Sequence, residues 1–344
     1  MVKQKVIVMF SGGLDSRLAI KIMQKQGFEI MALFFKLPFG TGCCDEGCSF
    51  NFSQLQGIKL NVFDCTKGEL LQEYLDVIKN PKYGRGSGIN PCIDCRIFML
   101  KKAKEFADKE GIEIIVTGEV LGERPMSQTK RAMDLIEKES NLKGRLFRPL
   151  SAKILLETEA EKKGLIDRRK FYDIHGRRRE KQIALAKKFK ISYPHPAGGC
   201  LLCEKALKRR LMKLLERGLN EKEINLVGIG RHFRIGGAWI VVGRNEKENK
   251  IIEAFGTQPP SRSGGSRSRR GCTQNQVGLK EDFQRKSLLR AKDYELVVPD
   301  FLGPSAVIMD KCGKNVKKEV NKLIKAYSKE GDLKERKKFD KWKL

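Results

Sequence analysis

The apolar run Val6-Ile7-Val8-Met9-Phe10 leads straight into Ser11-Gly12-Gly13-Leu14-Asp15-Ser16, and a helical apolar pattern follows from Leu14 to about Gln26. A strand that breaks on two glycines and restarts as a helix leaves the chain few options. The glycines permit a tight turn and let the backbone approach a ligand closely. The N–H groups of such a turn and the positive end of the helix converge on one point, an anion site suited to a pyrophosphate. Asp15 can help place Mg²⁺ there, and the Ser11 and Ser16 hydroxyls can donate to phosphate oxygens. No Gly-Lys-Ser/Thr ends the loop, so it is not a Walker loop. The bland account is a Gly-rich turn capping a helix with Asp15 in its first turn, and the strand ahead of it argues for the site.

Further apolar runs repeat the alternation: Ile30 to Phe35, Leu60 to Asp64, Ile112 to Val116 and Leu146 to Leu150 read as strands. Amphipathic helices fall between them, one through Leu70, Leu71, Leu75 and Ile78 and another opening near Cys92. Strands alternating with helices predict a parallel, doubly wound α/β sheet. Charged helices are expected near Lys153 to Lys163 and Arg178 to Lys188, and Pro194 to Gly199 breaks the pattern. From about Gly230 the texture changes, and Ile240-Val241-Val242-Gly243 and Glu295 to Val298 read as strands of a second, smaller α+β unit. The boundaries expected are 1–205 for the sheet domain, 206–227 for a helical linker and 228–310 for the second domain. A basic low-complexity insertion, 257–290 with its Ser/Arg/Gly core at Ser261 to Arg270, and a lysine-rich tail, 311–344, complete the chain.

The glycine loop resembles the pyrophosphate loop of the PP-loop ATPases, whose adenine nucleotide α-hydrolase-like fold cleaves ATP between its α and β phosphates. A second string narrows the resemblance. Thr117-Gly118-Glu119-Val120-Leu121-Gly122, running on to Ser127-Gln128-Thr129, looks like an element of the tRNA 4-thiouridine synthetases. Arg148-Pro149-Leu150 with Lys153, and then Phe171-Tyr172-Asp173-Ile174, are similar to later elements of that family. Singly, these could be a helix stop, a strand end and a helix cap; their shared order carries the resemblance. It implies an ATP site at Phe10, Ser11, Gly12, Gly13, Asp15, Ser16, Phe34, Gly118 and Gln128, with Asp15 catalytic. It also implies adenylation of a uridine carbonyl, 4-thiouridine as product, position 8 of tRNA as target, and sulfide or a cysteine desulfurase as sulfur donor. That family usually carries a THUMP domain ahead of the first strand; this sequence starts at that strand, so another segment is expected to hold the RNA.

Ten cysteines then demand an account. The run lacks a signal-peptide pattern and no apolar stretch is long enough for a membrane span, so a cytoplasmic setting is expected, where disulfide frameworks are rare. Pro91-Cys92-Ile93-Asp94-Cys95 and Gly199-Cys200-Leu201-Leu202-Cys203 each place two thiols at an expected helix start, where the dipole favours thiolates. Three chemistries compete. Cys92, Cys95 and Cys200 resemble the three-cysteine [4Fe–4S] sites of cluster-dependent tRNA thiolases, with Cys203 a possible fourth ligand. Persulfide chemistry would have Cys200 carry sulfur and a partner resolve it. A zinc site built from both pairs is the structural alternative. Cys43, Cys44 and Cys48 read as loop cysteines or a sulfur relay, Cys65, Cys272 and Cys312 as structural, and His195 as a turn or packing residue.

The formal charge of +28, from 70 Lys+Arg against 42 Asp+Glu, favours a polyanionic partner. A lysine-rich composition of thermophilic type would raise glutamate in step, which is not the case here. Binding to phosphates, with release of counterions, makes tRNA the expected partner. Gly230 to Arg234, followed by Val242-Gly243-Arg244-Asn245, resembles the NFACT-type RNA-binding module, and Gly303-Pro304-Ser305 fits a later part of it. The resemblance implies RNA contacts at Arg231, Arg234 and Arg244, with Lys153 adding one from the first domain. A solvated basic face is the alternative account of these charges. The sequence also leaves open 2-thiouridine as product, ATP chemistry on a small molecule, or a non-catalytic RNA- or ribosome-binding role.

Overall fold

The computed structural model describes residues 4–40, 46–194, 200–257 and 294–344. Cys43, Cys44, His195, Cys272 and the Ser261 to Arg270 segment fall outside them. The chain divides into two compact units, Met1–Val227 and Gly228–Leu344.

The first unit is built on β1 (Lys5–Met9), α1 (Leu14–Lys25), β2 (Glu29–Lys36), α2 (Glu46–Leu55), β3 (Lys59–Asp64), α3 (Gly68–Lys79), α4 (Cys92–Lys109), β4 (Ile115–Thr117), α5 (Lys130–Glu139) and β5 (Leu146–Phe147). Short helices α6 (Glu159–Lys162) and α7 (Glu180–Lys188) follow, then α8 (Lys208–Arg217). All five strands are parallel, in the order β3-β2-β1-β4-β5. The central strand shows why both faces are covered. Successive side chains point to opposite faces, and no residue of β1 after Lys5 is exposed. Val6 and Val8 pack with α1, Ile114 and Val116 on one side, while Ile7 and Met9 pack with α4, Ile115 and Leu146 on the other. The expected doubly wound sheet is therefore present.

Three elements are shorter than the sequence pattern leads one to expect. The β4 strand begins at Ile115 because the Ile112 N–H is taken by the Ala107 carbonyl at the end of α4. The β5 strand stops at Phe147, before Arg148 and Pro149. In place of a helix over 153–163 there is one 3₁₀ turn, Ala152–Ile154, and the four-residue α6, whose N-terminus is closed by reciprocal hydrogen bonds of Thr158 and Glu161. The segment expected as a linker, 206–227, belongs to the first unit, where Leu211, Leu214 and Leu215 of α8 are buried.

The second unit is an antiparallel sheet of order β6-β7-β9-β8, from β6 (Arg231–Ile235), β7 (Ala238–Val242), β8 (Glu295–Val297) and β9 (Ala306–Ile308). Helix α9 (Glu246–Thr257) lies between β7 and β8 in the chain. The lysine-rich tail, expected to stand apart, is part of this core. It forms α10 (Lys314–Ala326) and α11 (Leu333–Lys338), burying Val320, Leu323, Ile324 and Phe339 against the sheet. Trp239 on β7 is buried, and its indole N–H donates to Nδ1 of buried His232, whose other ring nitrogen lies 2.8 Å from the Ile229 carbonyl. Among the described residues, no helix is long and apolar enough to cross a membrane.

Candidate nucleotide and thiol site

Ligands of open α/β sheets bind outside the carboxyl ends of the strands where the strand order reverses. Here β1 and β4 are neighbours, with β2 continuing one way and β5 the other. The loops after β1 and β4 meet at that point. Gly12 turns the chain with φ 76°, and Gly13 caps α1 without a side-chain hydrogen bond, leaving the first helical N–H groups open. A Cβ on Gly118, just past β4, would lie 2.5 Å from the Asp15 carbonyl carbon, so only glycine allows this closeness.

Ser11 Oγ donates to Ser16 Oγ (3.2 Å), which donates to the Gly13 carbonyl (3.0 Å). Asp15 is largely enclosed, and its Oδ1 has no hydrogen-bond partner among the described residues. Burial, reinforced by the negative charge of Glu123, pushes its carboxyl up to about 7 against the pull of Arg179 and Arg124. An orphaned, enclosed carboxylate oxygen at a pyrophosphate loop suits Mg²⁺, which takes one or two protein carboxylates and completes its shell with phosphate oxygens and water.

Other expected ATP residues take less direct parts. Phe10 is core, its ring 5.3 Å from that of Phe52. Phe34 on β2 is also buried. Gln128 braces its own loop: Oε1 accepts from the Arg124 N–H (3.2 Å), and its carbonyl accepts from the Gly122 N–H (2.7 Å).

Two side chains the motifs do not single out hold this edge together. Arg17 is 4% exposed and donates to the Gly12 carbonyl (2.7 Å), the Ser192 carbonyl (2.9 Å) and Cys48 Sγ (3.1 Å). Cys48 thus sits on α2 as a partner of the phosphate-loop arginine. Glu123 accepts from Arg179 (2.9 and 2.5 Å) beside Asp15. A basic residue inside the apolar face of α1 was the one available signal for Arg17; nothing local marks Glu123.

The thiols lie close by. Glu119 reaches from the loop after β4 to Arg96 on α4 (3.1 Å) and to Arg148 (3.1 Å), and Arg148 also pairs with Glu137. Burial would raise the Glu119 carboxyl, but Arg96 and Arg148 outweigh it and hold it below its ordinary value. Asn90 donates to Cys92 Sγ (3.1 Å) and lies 3.5 Å from Met126 Sδ of that same loop. Leu202 is tied in by the Ile89 N–H (2.9 Å), and a Cβ on Gly88 would lie 2.2 Å from the Leu202 carbonyl oxygen. Cys92, Cys95, Cys200 and Cys203 are therefore brought into one neighbourhood, all as free thiols.

Two expectations about them need correcting. Cys200 opens a 3₁₀ turn, Leu201–Cys203, rather than an α-helix. The dipole does not win at the other pair either: burial raises the Cys95 thiol above its ordinary value, with Tyr74 Oη only 3.5 Å away. Burial pushes Cys200, whose Sγ donates to the Phe39 carbonyl (3.3 Å), up to about 12, and raises Cys203 as well. Each of Cys92, Cys95 and Cys200 has its own polar neighbour, and among the described residues no group of three His, Cys, Asp or Glu is set to hold a metal ion. The donor chemistry, four thiols in one neighbourhood, suits iron or zinc. Cys65 is buried and pushed up to about 12, also by burial. Cys312 packs beside the core of the second unit.

Of the expected RNA contacts, Arg231 donates to the Gly243 carbonyl (3.1 Å) and stacks over Tyr327 (4.9 Å). Arg244 is bound to Glu248 (2.9 Å). Arg234 is exposed, and its side chain has no hydrogen bond or ion pair among the described residues. Lys153 in the first unit is exposed, its backbone N–H held by the Tyr172 carbonyl (3.0 Å).

A family model described as "Thiamine biosynthesis protein (ThiI)" matches from the first strand through the Arg-Pro-Leu element. Residues 1–153 are ThiI-like. A "Probable tRNA sulfurtransferase" of Methanosarcina mazei is 28% identical over 124 residues, which are 35% of this chain and 29% of that protein. A "tRNA-specific 2-thiouridylase MnmA" of Sulfurimonas denitrificans is 30% identical over 118 residues, 33% of this chain and 34% of that one. The chain thus spans about a third of the length of the curated relatives it matches. Among solved structures, a 4-thiouridine synthetase–RNA complex with bound ATP aligns over 65% of this chain and 52% of its own, at 18% identity and TM-score 0.35. The ThiI-like segment contains the phosphate loop, Cys92, Cys95 and the whole 117–129 loop; Cys200 and Cys203 lie beyond it.

Proposed function

We propose that this chain is an ATP-dependent tRNA sulfurtransferase that makes 4-thiouridine, acting in the cytoplasm. The observation that carries this reading is the meeting of an open pyrophosphate loop and a group of free thiols across one loop, 117–129. ATP would lie along the Ser11–Ser16 loop, with its pyrophosphate on the open N–H groups of α1. Mg²⁺, held by Asp15, would supply charge neutralisation as the pyrophosphate leaves. The uridine carbonyl oxygen attacks the α phosphate, pyrophosphate departs, and a sulfur nucleophile then displaces AMP from the activated carbon.

The thiol group would present that sulfur. In the persulfide form, the outer sulfur on Cys200 attacks the adenylated base. A neighbouring thiol then cleaves the sulfur–sulfur bond and ends as a disulfide with Cys200, which an external thiol reduces. In the cluster form, Cys92, Cys95 and Cys200 would be the ligands after turning from their present hydrogen bonds, with Cys203 in reserve. Sulfide would be the donor in the cluster form, and the persulfide of a cysteine desulfurase, which passes on sulfane sulfur by thiol exchange, in the persulfide form. The second unit would grip the tRNA, as its NFACT-type resemblance implies.

Anaerobically purified protein, tRNA and ATP, supplied with sulfide or with a cysteine desulfurase and cysteine, provide the test. AMP and pyrophosphate should form together with 4-thiouridine in digested tRNA, and ADP formation without any thionucleoside would overturn the reading. The 2-thiouridylase relatives favour a second product, 2-thiouridine, which mass spectrometry of the same digest separates. Iron and sulfide in the purified protein would support the cluster form, and a trapped Cys200 persulfide without iron the other.

A further inference from the structure

The arginines of the first unit sort into two groups. Arg17, Arg85, Arg96, Arg145, Arg148 and Arg179, among others, are engaged by carboxylates or backbone carbonyls. Arg177 and Arg178 are exposed and make no hydrogen bond or ion pair among the described residues. Two adjacent unpaired arginines on a surface are usually a solvated charge run. The anchoring of this pair is what sets it apart.

The turn His175-Gly176-Arg177-Arg178-Arg179 is fixed to the nucleotide edge at two points. Leu121 and His175 form a parallel β-bridge in which the Gly176 N–H donates to the Leu121 carbonyl (2.7 Å), and Arg179 is clamped by Glu123 (2.5 Å). The clamping carboxylate is the one whose charge Asp15 feels. Leu121 follows Gly118 by three residues, a span of at most about 11 Å, and Gly118 touches the Asp15 backbone. Arg177 and Arg178 are thus held rigidly within a short reach of the phosphate loop, with their guanidinium groups uncommitted. Arg124, exposed on the facing loop, has its charge felt by both Asp15 and Cys203.

From this placement we propose that Arg177 and Arg178, with Arg124 opposite, form a phosphate-gripping lip that seats the RNA sugar–phosphate backbone next to the nucleotide site. The inference rests on the sulfurtransferase reading and adds where the RNA is held as its uridine is delivered. Guanidinium forks grip phosphate oxygens bidentately, and a rigid anchor spares the entropy of ordering a loop on binding. Arg179 is excluded from the grip because Glu123 neutralises it; its task is to hold the turn.

The test uses the full chain and unmodified tRNA. R177Q/R178Q should raise the tRNA Kd roughly tenfold near physiological salt and lower the slope of log K against log salt by about 2, one released counterion per arginine lost. R124Q should lower the slope by about 1. R177K/R178K, which keeps the charge, should recover most of the affinity, and ATP affinity of R177Q/R178Q should match the parent. Unchanged tRNA affinity and slope in folded R177Q/R178Q would overturn the lip. So would a loss of ATP affinity with tRNA affinity intact, since the turn would then serve the triphosphate. A parent protein that binds no tRNA overturns the sulfurtransferase reading itself, and that result is distinct because it comes before any substitution.

Discussion

Asp15 is charged at a cost. Its carboxyl titrates near 7 when folded and near 3.8 when the chain is unfolded, so the folded state binds the extra proton between those values. Stability contributed by that proton is present at low pH and lost as pH rises from about 4 to about 7. Asp15→Asn should therefore stabilise the protein by up to a few kcal/mol above pH 7, and by less at pH 5. Thermal melts at the two pH values check this, and the same variant should form no AMP. A melting point lower than the parent's at pH 8 would show that the buried charge is compensated. The thiols make the complementary case. Cys92→Ala, Cys95→Ala and Cys200→Ala should each stop thiolation while AMP formation persists, whereas Cys203→Ala should keep thiolation, read as thionucleoside yield. Raised Cys95 and Cys200 thiols are poor nucleophiles at pH 7, so turnover through them should climb with pH until a bound ligand lowers them.

Among the elements, the loop from Thr117 to Thr129 does the most connecting. It abuts the phosphate loop through Gly118, α4 through Glu119, the thiol-bonded Asn90 through Met126 and the arginine turn through Leu121 and Glu123. Gly118→Ala would drive a methyl into the Asp15 backbone, costing about 1–3 kcal/mol by overpacking. A weaker ATP affinity should accompany the lower melting temperature; an unchanged affinity would mean that the two loops can part without loss. The strings in this loop were readable because turns and phosphate sites impose local residue types. Its partners were not, since Arg96, Arg148, Arg179 and Asn90 reach it from separate stretches of chain. The thiol environment was misread for the same reason: a helix start is visible in sequence, while the burial that overrides its dipole arises only when distant stretches of chain pack around the thiols. The apolar run at Ile112 announced buried residues correctly but not which of them pair.

For the whole molecule, the doubly wound sheet was legible from its alternating pattern, and so was the start of the second unit at residue 228; the membership of 206–227 and of the tail was not. Lysine-rich composition set residues 311–344 outside the second domain as a tail, yet Val320, Leu323 and Ile324 recur at helical spacing and close the second core. Deleting 228–344 should leave ATP binding intact and weaken tRNA binding with a flatter salt dependence. Equal tRNA affinity and slope in the shortened protein would assign the second unit another task. That experiment has a built-in optical reporter. Both tryptophans of the chain, Trp239 and Trp342, lie in the second unit. The buried indole of Trp239, locked onto a histidine ring, should emit toward the blue and shift red as its core opens. Tryptophan emission will follow the melting of that unit alone. A difference between the emission curve and far-ultraviolet circular dichroism of the intact chain will measure how independently the two units unfold.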